Sequence, residues 1–99
     1  MSLTTRINSL VSTHRLFIGD LLTPIVVQLW RNDETGYLSA SADHDIHTPV
    51  QESPYFPEPG DYHQTPESAL KWIVDGYESY YDQAVDEGHT PAESWLPSV

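Results

Sequence analysis

The chain has 99 residues, fifteen acids against four lysines and arginines, a formal net charge of −11 and no cysteine. That length fits one domain, residues 1–99, around one modest core, and a hydrophobic content of 38% is enough to fold it. The charge argues against direct binding to nucleic-acid phosphates or an anionic membrane, and the lack of cysteine excludes a disulfide scaffold, thiolate metal sites and cysteine nucleophiles.

No apolar run reaches membrane-spanning length. The N-terminal MSLTTRINSL has no signal-peptide h-region, so a cytoplasmic setting is expected. In residues 4–18, Ile7, Leu10, Val11, His14 and Phe17 or Ile18 recur at helical spacing. This predicts an amphipathic N-terminal helix ending at Gly19-Asp20, with His14 packed on its apolar stripe. Residues 24–30, PIVVQLW, are β-branched and aromatic and read as a strand. RNDETG follows with turn chemistry, and YLSAS reads as the returning strand of a hairpin.

Residues 42–65 carry Pro49, Pro54, Pro57 and Pro59, which forbid a central strand. A connection this long is usually functional or mobile. Ile46, Val50, Tyr55 and Phe56 are its candidate anchors, with room for a short edge strand near 46–51. Thr65-Pro66-Glu67 then has N-cap, N1 and first-turn acid chemistry. Leu70, Ile73, Val74, Tyr77, Tyr81 and Ala84 follow at helical spacing, and Gly88 is a C′ residue. A helix over about 66–87 results, with Gly76 costing it about 1 kcal/mol relative to Ala. Trp95 and Leu96 offer a C-terminal clasp. The expected fold is α+β: a small antiparallel sheet with an N-terminal helix and a long amphipathic helix packed on it.

The acids are unevenly placed. Residues 1–31 hold Arg6, Arg15 and Arg31 against Asp20, whereas all the other acids share residues 32–99 with Lys71 alone. In VDGYESYYDQAVDEG, residues 74–88, there are five acids and no base. Glu67, Lys71, Asp75, Glu78, Asp82 and Asp86 form one stripe of the helix, and each like-charge pair one turn apart costs a few tenths of a kcal/mol. Asp82, Asp86 and Glu87 also meet the unfavourable end of the helix macrodipole. Such a stripe is either a solvated face carried by tertiary packing or a surface that meets a counter-charge.

Asn32-Asp33-Glu34 in the turn and Asp43-His44-Asp45 at the start of the long connection add oxygen donors of the kind hard cations take. No EF-hand is present: frames starting at Asp33 or Asp43 lack the Gly and the closing Glu. The expected calcium ligands are therefore dispersed. Asn32, Asp33, Glu34, Asp43 and Asp45 would form the stronger site, assembled at a junction of turn and loop, and Asp75, Glu78 and Asp82 a weaker one. Ca²⁺ is expected over Mg²⁺, because a site gathered from separate segments tolerates irregular geometry. A zinc alternative rests on His44, His47 and His63 with Asp43, Asp45 and Asp61, a weak pattern. No P-loop, G-x-S-x-G or H-E-x-x-H motif occurs, and a binding protein is expected rather than an enzyme.

In overall character the acid-rich 32–99 region, with RNDETG, DHD and VDGYESYYDQAVDEG, resembles the small acidic calcium-binding proteins of cyanobacteria (the CcbP type). That resemblance rests on profile and implies cytoplasmic calcium buffering or signalling in heterocyst development. DETGY, GDYHQTPESAL and EGHTPAESWLPS are similar to segments of HicB-like antitoxin domains. This second resemblance implies a helix packed on a small antiparallel sheet, and an acidic face that docks on a basic protein surface. The long Pro-rich connection departs from that family, and no C-terminal DNA-binding domain is expected.

Overall fold

The computed structural model describes residues 7–60 and 62–99. Three antiparallel strands, β1 (Asn8–Leu16), β2 (Ile25–Asn32) and β3 (Leu38–Ala42), form one sheet in the order β1-β2-β3. One long helix, α1 (Pro66–Asp86), follows, and a short 3₁₀ turn at Glu93–Trp95 lies in the tail. The α+β class and the β2–β3 hairpin agree with the sequence reading.

The expected N-terminal helix is a strand instead. Residues 4–6 of that expectation lie outside the described residues, and Asn8–Leu16 pairs antiparallel with β2. The i, i+3, i+4 recurrence is not the inward face of this strand: the register shifts between Leu10 and Ser12, and Ile7, Leu10, Val11 and Phe17 are exposed. Beyond the shift, Ser12, His14 and Leu16 are half-buried while Thr13 and Arg15 are exposed. Ser, Thr and Val are weak helix formers, and β2 offers a full ladder of backbone partners. Tertiary pairing therefore overrides the helical period. His14 sits on the strand, within 2.9 Å of the Ser12 hydroxyl, not on a buried helical stripe.

The core lies between the sheet and α1. Ile25, Val27 and Leu29 face inward from β2, where they alternate with half-buried neighbours. Opposite them stand Ala69, Ile73, Tyr77, Tyr81 and Ala84 of α1. The helix starts as its sequence predicts: the Thr65 side chain accepts from the Ser68 amide and Pro66 occupies the first turn. Gly88, with φ of +91°, follows its end.

Residues 43–60 form no strand or helix, yet they are part of the core. Ile46 is fully buried and forms an isolated bridge with Tyr55, and Thr48 and Pro57 are also buried. The tail closes over the same segment. His44 bridges Ser98, the Asp45 amide donates to the Pro97 carbonyl, and the His47 amide donates to the Trp95 carbonyl. Trp95 and Leu96 are buried, which makes the expected clasp real. Gly76 has its reason here: a Cβ at that position would lie 2.2 Å from Cβ of Pro57. The helix gives up a side chain so that the connection can cross it.

Candidate functional site

The turn acids are engaged in building the hairpin. The Asn32 side-chain oxygen accepts from the amides of Glu34, at 2.8 Å, and Thr35, at 3.0 Å. This Asx turn uses the oxygen that a cation would need. Asp33 accepts from the Ser9 hydroxyl at 3.0 Å, which ties the turn to β1. The Glu34 backbone is fixed by Asn32, and its residue is exposed.

Asp43 and Asp45 stand at the other end of the sheet. Oδ1 of Asp43 accepts from the Val26 amide at 2.8 Å and lies 2.8 Å from Nδ1 of His44. Burial pulls this carboxyl up, but the His44 contact and the Val26 amide outweigh it and hold it below the usual carboxylate value. Asp43, at a bend, and Asp45 flank His44, whose isolated bridge to Ser98 fixes the backbone between them. Between them the His44 carbonyl accepts from the Tyr77 hydroxyl at 2.7 Å. Burial, and then the charges of Asp45 and Asp43, push the Tyr77 phenol far up.

The expected junction of turn and loop acids is not formed. Leu38 pairs with Arg31 and Ala42 with Val27, so the whole of β3 separates Asn32, Asp33 and Glu34 from Asp43 and Asp45. At a rise of roughly 3.3 Å per residue that separation is on the order of 20 Å. Any site must use one end or the other. Among the described residues no group of three or more His, Cys, Asp or Glu is arranged to hold a metal ion.

Asp75, Glu78 and Asp82 are exposed along α1, as the stripe predicts. Lys71 donates to Oδ2 of Asp75 at 2.6 Å, and this hydrogen bond, with the Asp75 charge, raises the lysine. That pair is the one lysine–carboxylate ion pair among the described residues, and His44–Asp43 becomes a second only when His44 is protonated.

Of the histidines of the zinc alternative, His44 and Nδ1 of His63 have side-chain partners, while Nε2 of His63 is buried without one among the described residues. His63 is buried, its Nδ1 lies 2.6 Å from the Ser68 hydroxyl, and its ring packs between Tyr62 and Trp72. His44 is joined to Asp43, and Asp61 lies outside the described residues.

Two features escaped the sequence reading. Glu93 reaches back across the fold and accepts from the amides of Leu22 and Thr23 and from the Thr23 hydroxyl, at 2.8–3.1 Å. The Thr23 hydroxyl, followed by the Leu22 and Thr23 amides, holds its carboxyl below the ordinary value. The second feature is an aromatic groove beside Asp75, lined by Tyr55 and Trp72. Both join residues distant in sequence, and the only local signal was the density of aromatics on either side of residue 61.

Among the described residues no helix is long and apolar enough to cross a membrane. No protein-family model matches the chain, and no curated protein or solved structure matches it with significance.

Proposed function

We propose that this is an acidic cation-binding domain that takes up calcium without an EF-hand. The observation that carries the reading is the Asp43–Asp45 pair. The two carboxylates flank the His44 carbonyl that accepts from the Tyr77 hydroxyl, on a stretch whose backbone is pinned to β2 and to the tail, and both charges help to raise the Tyr77 phenol. Oδ2 of Asp43 and both carboxylate oxygens of Asp45 make no hydrogen bond among the described residues. Calcium takes six to eight oxygens, so water would complete the shell and binding would be weak, with Kd of about 0.1–1 mM. Asp75, Glu78 and Asp82 point outward side by side, with their backbone carbonyls used in the helix. They concentrate cations without surrounding one.

Calcium titration followed by NMR tests this reading. The amides of Asp43, His44 and Asp45 are expected to shift saturably, with Mg²⁺ weaker. The Asp43→Asn/Asp45→Asn variant should lose the effect, whereas Asp75→Asn/Asp82→Asn, which removes the same charge, should keep most of it. If NaCl at matched ionic strength reproduces the whole calcium response, the acids are a solvated face and the reading fails.

A second reading is favoured by the exposed acids of α1 beside exposed aromatics: an interaction module that docks on a basic protein surface. Trp72 is 45% exposed and Tyr55 41% exposed, and large exposed aromatics are enriched where proteins meet.

A further inference from the structure

Where residues 55–58 cross α1 they leave an open groove of about 270 Å³ lined by Tyr55, Pro57, Trp72, Asp75 and Gly76. A neighbouring recess of about 320 Å³ shares Tyr55 and adds Glu52 and Tyr80. The groove is at or below the small end of ligand pockets, so it suits one long side chain better than a cofactor.

Its aromatic residues are exposed but held. The Trp72 indole N–H donates to the Glu58 carbonyl at 3.1 Å. Tyr55 packs edge-on against Tyr80 with ring centroids 5.4 Å apart, and its backbone pairs with Ile46. Aromatic rings fixed beside a carboxylate attract a cation twice, through the ring faces and through the charge. The net charge of −11 draws basic partners to this surface and repels acidic ones. Arginine fits better than lysine, because a planar guanidinium stacks on an aromatic face while its edge pairs with a carboxylate.

The same carboxylate already holds a cation from its own chain. Lys71 contacts Oδ2 of Asp75, while Oδ1 makes no hydrogen bond among the described residues. The Lys71 side chain is 76% exposed, and pairs so exposed are easily exchanged.

We propose that this groove is a docking site for an arginine side chain on a basic segment of a partner protein, stacked on Trp72 and Tyr55 and paired with Asp75. The inference rests on the second reading above, in which the acidic surface meets a basic protein.

The test is an NMR titration in calcium-free, low-salt buffer with a capped glycine-rich hexapeptide carrying two arginines. Its control is the same peptide with citrulline, which keeps the shape and removes the charge. The arginine peptide should shift the Trp72 indole N–H and the Gly76 amide saturably, and the citrulline peptide should not. Asp75→Asn should weaken binding, and Trp72→Phe should weaken it less, since a smaller aromatic face remains. Lys71→Gln and Arg15→Gln each remove one positive charge, but only Lys71 sits on Asp75. Lys71→Gln should therefore tighten binding about two- to fivefold beyond Arg15→Gln, the range of an exposed ion pair. Shifts that centre on Asp82 and Asp86 and leave Trp72 still would overturn the groove while the docking reading stands. No arginine-dependent shift anywhere would overturn both.

Discussion

Strand β1 and the connection 43–60 reverse the usual association of regular structure with the core. β1 is nine residues long, eight of them ladder-paired and Val11 at the bulge, yet none of its residues is buried, and Leu10 on it is 49% exposed. The connection has no helix or strand, yet Ile46 is fully buried and Pro57 lies against the helix backbone at Gly76. The edge strand is held by backbone hydrogen bonds to β2, whereas the connection is held by side-chain packing and by the tail. Ladder pairing needs only extended backbone. Core membership needs apolar side chains that fit.

The sharpest way to break this comparison is to truncate one apolar side chain in each region. Ile46→Ala should cost about 2–5 kcal/mol, the range for a fully buried large-to-small change. Leu10→Ala should cost no more than about 0.5 kcal/mol, as surface substitutions do. Urea unfolding of both variants decides it. Equal losses would mean that β1 is covered in solution or that the connection is not packed as described.

A smaller effect comes from Gly76. In a solvent-facing helix interior, Gly→Ala would stabilise by about 1 kcal/mol. Here the added methyl meets Pro57, and overpacking of this kind costs about 1–3 kcal/mol. Gly76→Ala should therefore lower the melting temperature. A rise would show that the connection lifts away from α1 at little cost, which would also weaken the groove formed between them.

These positions show what was legible in the sequence and what was not. Helix α1 was legible from Thr65 to Gly88, because caps, the Pro at its start and a six-residue apolar stripe all act locally; Ile73, Tyr77, Tyr81 and Ala84 of that stripe are buried, Leu70 and Val74 are half-buried, and Ala69 joins the core instead. The β2–β3 hairpin was legible for the same reason: Asn32 and Gly36 encode its turn. β1 was misread because its apolar spacing mimics a helical stripe, whereas the pairing that β2 supplies makes it a strand on which Leu10 and Val11 are exposed. Gly76 looked like a flaw because its partner, Pro57, lies nineteen positions earlier in the chain. The acids were found as a population. Their grouping followed from strand register, which places Asp33 and Asp43 at opposite ends of β3.

The smallest effect tests the link between the two regions. Glu93, in the tail that closes over the connection, binds Leu22 and Thr23 in the segment between β1 and β2. These donors favour its ionised form, so its carboxyl titrates lower in the folded chain than in the unfolded one. The unfolded state therefore takes up the proton first as pH falls. The stability that Glu93 adds is complete above the ordinary glutamate value of about 4.3 and disappears as pH drops through the lower folded value. Asp43 shifts in the same direction, and protonating the other acids relieves self-repulsion in the opposite direction. The acid limb of the wild-type curve thus mixes several groups. Glu93→Gln isolates one of them, since glutamine keeps an oxygen acceptor but does not titrate near these values. The variant should melt slightly below wild type at neutral pH, and the gap should close as pH falls below about 4. A gap that stays constant from neutral to acid would mean that Glu93 acts through shape alone. No gap at any pH would mean that the tail does not hold the β1–β2 connection in solution.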